Sequence, residues 1–433
     1  YAGDVDGTLY TQYFAETYYT DASRYSSQHY DFGGWYSGPL EDLQTIIDLN
    51  SNPDTQGASY VLAGGSNANQ LAVANILKAY YFHTMTDRWG PIPYSEALKG
   101  GDNYTPAYDS QKSIYMDLIS KLKAAVNNMD SGQGVTGDYI FNGDMGMWTK
   151  FANTLRARIA LRMSEVDPST AETEFKAAYN DGLITEDVMY PYLSDDNNDN
   201  PWQDRFQTRT DYAITKFMAD TMKSLGDQRV LKYADPAEDL DNGDGVTQMN
   251  EIVGMPYGLS KDDAAAISYT AVSFPGHAIR SSTSPLPVMT MAEVNFMLAE
   301  ATQRGWISTG TTAAQYYQMG IKASMQQWGT YDAATFANYM SQSEVAYDPA
   351  NWKQKIGFQK WLALFPQGYE SWSEWRRLGY PVLTPAPAGA ISQIPVRQGY
   401  PESESELNSD SYNKAVDMLG GNDNLTTNLW WDK

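Results

Sequence analysis

Residues 64–91 read GGSNANQLAVANILKAYYFHTMTDRWGP, and this stretch decides the class of fold. Gly64-Gly65-Ser66-Asn67 is a helix-start signal, because small polar side chains satisfy N–H groups that a first turn leaves open. After it, Leu71, Val73, Ile76, Leu77, Tyr80, Tyr81 and Met85 leave almost no polar stripe. A surface helix would keep one, so the pattern predicts a buried helix, ended by Gly90-Pro91. The same start resembles an anion-binding helix terminus, but the Lys of a phosphate loop is missing and a plain cap is the simpler reading.

Helical spacing continues outward from this segment. Asp109/Ser110 can cap a helix carrying Ile114, Leu118, Ile119, Leu122, Val126 and Met129; Asp144 can cap another with Trp148, Phe151, Leu155, Ile159 and Arg162 on one side. Weaker helices fit 169–180 and 211–225. The stretches 289–304 with 311–328, and 332–343 with 351–365, read as two further pairs. Pairs repeated on both sides of a long irregular middle predict a mostly α helical-repeat scaffold, each pair burying a face on the next. Its main blocks are 40–180 and 289–379. The region 181–288 is rich in Asn, Asp, Gly and Pro and too long for passive connections, so it is expected to carry function and minor β structure. Pro381, Pro385, Pro387, Pro395 and Pro401 predict an extended tail over 380–433.

The chain has 433 residues, 30 Lys+Arg against 53 Asp+Glu, and a net charge of −23. That length predicts two domains or one elongated body. Such a charge repels phosphate backbones and anionic lipid, so nucleic acid is not an expected partner. The absence of cysteine removes disulfides, thiolate metal sites and thiol nucleophiles, and three histidines leave little room for imidazole metal chemistry. No run of eighteen apolar residues occurs, and YAGDVDGTLY at the start has neither the basic nor the apolar region of a signal peptide.

Carboxylate pairs such as Glu370/Glu374 and Asp195/Asp196 are what a glycoside hydrolase would need, but among 53 acids such neighbours also arise as solvated or salt-bridged groups. Segment 239–251 is the metal candidate. With Glu251 at the last position of a calcium loop, Asn242, Asp244 and Gly245 fall where ligands and the turn glycine belong. The first position falls on Leu240, so Asp239 or Asp241 would have to serve by a one-residue shift. A structural calcium held by Asp239, Asp241, Asp244 and Glu251 stands beside an ion-free loop of Asx turns; no cofactor is required.

Aromatic residues supply the remaining signal: 12 Trp, 32 Tyr and 13 Phe, many beside amides and glycines. Sugars stack their C–H faces on rings while Asn, Asp, Arg or His bind the hydroxyls. The candidates are Trp35, Tyr36, Tyr192, Asn200, Trp202, Tyr257, Phe274 and His277. Each ring taken singly also fits core packing.

The segment TDRWGPIPYSEAL at 86–98 resembles the SusD/RagB family of outer-membrane nutrient-binding lipoproteins. Further similarities follow in order: Pro106 to Gln111, Gly143 to Arg158, Pro287 to Glu293 running on to Trp306, Trp361 to Pro366, Glu370 to Arg377 with Gly379-Tyr-Pro381, and the ending LWWDK at 429–433. They span nearly the whole chain, which the resemblance treats as one SusD-like body. It implies tetratricopeptide-like helix pairs supporting a loop-rich ligand face. The implied function is non-catalytic: capture of an oligosaccharide and hand-over to a SusC-like, TonB-dependent outer-membrane transporter. A peptide-binding lid of the same transporter type is the alternative, and a glycoside hydrolase the third. The implied location is the outer-membrane surface, through a lipid anchor on a Cys outside this sequence. The matching motifs are scaffold positions, so Trp89 and Trp148 are expected to pack helix pairs and Arg376 or Arg377 to pair with acids or carbonyls.

Overall fold

The structure is a computed structural model that describes residues 5–432. In chain order the longer helices are α1 (Glu41–Ser51), α2 (Asn67–Trp89), α3 (Gln111–Asn127), α4 (Met145–Arg162), α5 (Pro168–Asp181), α6 (Lys216–Ser224), α7 (Met291–Gln303), α8 (Ala313–Gln327), α9 (Ala333–Met340), α10 (Trp352–Ala363), α11 (Gly368–Leu378) and α12 (Ser409–Leu419). The strands are β1 (Phe14–Glu16), β2 (Ile92–Pro93), β3 (Tyr108–Asp109), β4 (Val188–Tyr190), β5 (Tyr212–Ile214) and β6 (Leu286–Met289). The mostly α class with minor β is thereby shown. Among the described residues no helix is long and apolar enough to cross a membrane.

The chain forms two compact units, each from two stretches: one joins the segment up to Ser27 with Thr185–Ile394, the other Gln28–Ile184 with Pro395 onward. The two helical blocks read from the sequence therefore belong to different units, and the region 181–288 falls mostly with the second block.

In the unit that begins at Gln28, α2 packs on α1 and α3, and α4 on α5. Side chains fix the starts: Ser66 accepts the Asn69 N–H at 3.2 Å, Ser110 that of Ser113 at 3.2 Å, and Asp144 those of Gly146 and Met147. Each such cap is worth about 1 kcal/mol. Helix α2 buries Val73, Ile76, Phe82, Met85 and Trp89, but Leu71, Leu77, Tyr80 and Tyr81 remain half-buried, so its last turns are fully enclosed and its earlier turns only in part. Trp148 is core, its ring edge-on to Phe141 and Phe151 and its Nε1–H donating to Asp138 at 2.8 Å.

The tail departs from the extended course read from its prolines. Beyond Pro401 a short helix, Glu402–Leu407, leads into α12, and Leu429 and Trp431 are buried. No proline follows Pro401, so nothing opposes helix there.

In the other unit, α7 is buried on nearly every side and packs on α8 and α10, while α10 packs on α11. A Cβ at Gly320 of α8 would sit 2.9 Å from the Phe296 ring, so the close approach of α7 and α8 requires glycine. The expected arginine pairing is found at Arg377, which reaches both oxygens of Glu300 and the Glu374 carboxylate at 2.7 Å; Lys360 closes the group at 2.7 Å from Glu374. Glu374 is thus a buried, salt-bridged carboxylate. Strand β1 pairs antiparallel with β5 in the register Phe14↔Ile214, Ala15↔Ala213, Glu16↔Tyr212.

Candidate functional site

The sequence-derived residues divide by burial. Trp202 is a core residue, 4% exposed, packed with Phe14, Ile214 and Met218. Its ring lies 4.9 Å from that of Phe14 and is no platform for a ligand. Asn200 is a cap: its oxygen accepts the Trp202 N–H at 2.9 Å, and its amide donates to the carbonyls of Ile279 and Ser284 at 2.8 Å. Those bonds hold the helix Pro201–Gln207 against the turn His277–Arg280. Phe274 is half-buried, 6.0 Å from Phe206. His277 is exposed, and its backbone N–H and the Arg280 guanidinium both engage Asp235. Trp202 and Phe274 are therefore joined through Phe206, a residue sequence reasoning had not singled out, while Asn200 ties the same helix to the segment that His277 begins.

Tyr257 packs beside Met255 and Val272, 6.5 Å from Tyr25. Tyr192 is half-buried and edge-on to the exposed Tyr190 at 5.2 Å. In the other unit, Tyr36 donates to the Pro93 carbonyl at 2.5 Å and packs on Phe32 and Phe82, and burial pushes its phenol well up. Trp35 is half-open, with Arg88 5.3 Å from its ring centroid.

The segment 239–251 takes Asx-turn geometry. Asp241, Asn242 and Asp244 accept the N–H groups of Gly243, Asp244 and Val246 at 2.7–2.9 Å, and Glu251 accepts that of Gln248 at 2.8 Å. Asp241, Asn242 and Asp244 thus each commit one side-chain oxygen to the local backbone, and Glu251 is buried. Among the described residues no group of three or more His, Asp or Glu forms a metal site.

An open aromatic surface lies instead where β1 and β5 leave the core. Past Glu16 the ladder continues through Thr17, whose N–H donates to the Asp211 carbonyl at 2.9 Å. Tyr18 and Tyr19 follow, 45% and 51% exposed, with ring centroids 4.9 Å apart at 79°. The Arg209 guanidinium stands 4.5 Å from the Tyr19 ring and the Lys261 ammonium 4.9 Å from that of Tyr18. Asp211 fixes Arg209 at 2.5 Å and holds its pKa above the usual arginine value through that hydrogen bond. Beneath lie the half-buried Tyr212, with Arg205 between it and Trp202. Glu16 is buried, and desolvation raises its pKa to about 7 against the opposing hydrogen bonds from the Ser23 N–H and hydroxyl, each 2.8 Å.

This arrangement offers two differently oriented ring faces at the surface with five-donor and three-donor cations beside them. Sequence reading passed over Tyr18 and Tyr19. The signal was the adjacent Tyr-Tyr just past a strand end, where the chain has left the core.

The family profile described as SusD-like, starch-binding associating with outer membrane, matches residues 4–401. A solved chitin-binding protein superposes with a TM-score of 0.82 at 27% identity, covering 98% of this chain and 94% of its own. A chitin-binding SusD homolog from Flavobacterium johnsoniae gives 0.79 at 26% identity, covering 99% and 93%. A SusD homolog from Bacteroides fragilis shares the fold, at 0.84 and 23% identity over 99% and 95%. No protein with a curated description matches the sequence significantly. The profile match over nearly all of the sequence establishes that the chain belongs to the SusD-like family.

Proposed function

We propose that this protein is a non-catalytic glycan-binding lipoprotein of the outer-membrane surface, which captures an oligosaccharide and hands it to a TonB-dependent transporter. The observation that carries the reading is the exposed Tyr18–Tyr19 pair with Arg209 and Lys261 against its rings. Family membership supports the outer-membrane setting, and the two chitin-binding relatives favour a neutral, β-linked sugar. The chain's own charge of −23 points the same way, since polyanionic glycans would be repelled at long range. Exposed hydroxyls keep much of their water on such a surface, so binding is expected to be weak, micromolar or poorer.

Calorimetric titration with chitooligosaccharides and maltooligosaccharides tests the proposal. Tyr18→Ala or Tyr19→Ala should each weaken binding by about tenfold, the equivalent of roughly 1.4 kcal/mol for a stacked ring. Undiminished affinity in both variants would remove this site, and silence toward every glycan would remove the function.

A further inference from the structure

We propose that the groove bounded by α1, α2 and α3 docks an apolar polypeptide segment of a partner protein, whose carboxylate enters the crevice between Lys78 and Lys121. The incomplete enclosure of α2 leaves this groove open. Its volume is about 430 Å³, and Ile47, Ala68, Leu71, Ala72, Ala124 and Ala125 give it an apolar floor. A crevice of about 40 Å³ continues from it, sharing Asn75 and Lys121 and adding Lys78, Tyr94, Phe82 and Leu118. The larger volume suits several small apolar side chains; the smaller has room for one carboxylate or a water or two.

Charge complementarity identifies the occupant. Lys78 donates to the neutral amide oxygen of Gln44, and among the described residues it has no carboxylate at ion-pair distance. Glu41 and Asp48 act on it only from farther off, and burial lowers its pKa to about 8, with the neighbouring Lys121 pushing the same way. Lys121 pairs with Asp117 at 2.9 Å, and Asp117 also accepts from the Tyr94 hydroxyl at 2.6 Å, so that carboxylate is already shared. A half-buried ammonium beside a second cation is costly unless an anion joins it. Among the described residues Lys78 is thus a cation without an ion-pair partner at the end of an apolar channel. Ser51, Asn75 and Asn128 along the groove suit the N–H and C=O groups of a peptide, for which an acyl chain has no counterpart. The exposed Ile46 of α1, and Tyr60 and Leu62 of the short helix Ser59–Leu62, add apolar surface on the same unit.

Fluorescence anisotropy with an array of apolar hexapeptides, each made with a free C-terminal carboxylate and as its amide twin, tests the proposal on the full chain. The carboxylate forms should bind at least about tenfold tighter than their twins. Lys78→Met should abolish that preference without lowering Tm, because it removes a desolvated charge, whereas a purely structural lysine would lower Tm when replaced. Leu71→Gln, on the half-buried floor, should weaken both forms alike. Equal binding of acid and amide, retention of the preference in Lys78→Met, or no peptide binding at all overturns the proposal. So does decanoate binding at Lys78 in the absence of peptide binding, which would make the groove a lipid site.

Discussion

Glu16→Gln isolates the electrostatic cost of the strand that carries the aromatic surface. Glu16 is 7% exposed at the end of β1, opposite Tyr212, and one carboxylate oxygen accepts both the N–H and the hydroxyl of Ser23. The ordinary carboxylate value of 4.5 describes its pKa in the unfolded chain, and about 7 that in the folded one. Between those values the native state holds a proton that the unfolded chain has released, so stability falls as pH rises from about 4.5 through 7. The loss is complete above 7 and amounts to about 3 kcal/mol, from roughly 1.4 kcal/mol per pKa unit. Glutamine cannot ionise, and its oxygen can keep both Ser23 bonds. Its amide nitrogen meets the Ala22 N–H that the carboxylate accepted, which trims the gain to about 2 kcal/mol. For a unit of about 240 residues that is a rise in Tm of about 4 °C at pH 8. At pH 5 most of the advantage should be gone. Scanning calorimetry of both proteins at pH 5, 6, 7 and 8 measures the difference, in which all other titrations cancel. A variant no more stable than the parent at pH 8, or a difference independent of pH, would refute the reasoning.

Trp202→Ala should cost about 3–5 kcal/mol, the range for emptying a buried aromatic site, and denaturant unfolding will show it; Tyr19→Ala, at a half-exposed ring, should leave the midpoint nearly unchanged. Comparing the two separates core from surface aromatics. Excess EDTA against excess calcium should move Tm by less than about 1 °C, because the 239–251 carboxylates bond their own turns; a larger stabilisation by calcium would restore the metal site.

The scaffold was legible because its signals are local. Ser66, Ser110 and Asp144 each cap the helix that the apolar spacing beside them implies, and observed ends fall within a few residues of the expected ones. The tail was misread because prolines between 381 and 401 say nothing about the proline-free segment after them. What a window of sequence cannot contain is the partner of a distant strand. Trp202 sits in an Asn- and Asp-rich neighbourhood that looks solvated, yet its burial depends on Phe14, nearly two hundred residues away. Arg209 comes to Tyr19 through the same pairing, and Lys261, at the start of the helix Lys261–Ala265, reaches Tyr18 from a third stretch of chain.

That pairing also ties the core to the surface. In the β1–β5 register Phe14 faces the Trp202 core, while Glu16 and Tyr212 occupy the next level outward. The Thr17–Asp211 bond extends the ladder to the point where Tyr18, Tyr19 and Arg209 emerge. An Arg209 side chain held by the Asp211 carboxylate has already lost much of the freedom that an unanchored one would surrender on binding. A surface of this kind can hold a sugar with few contacts and release it readily. Weak, fast capture is what the proposed hand-over to a transporter would require, since a tight complex would retain the sugar.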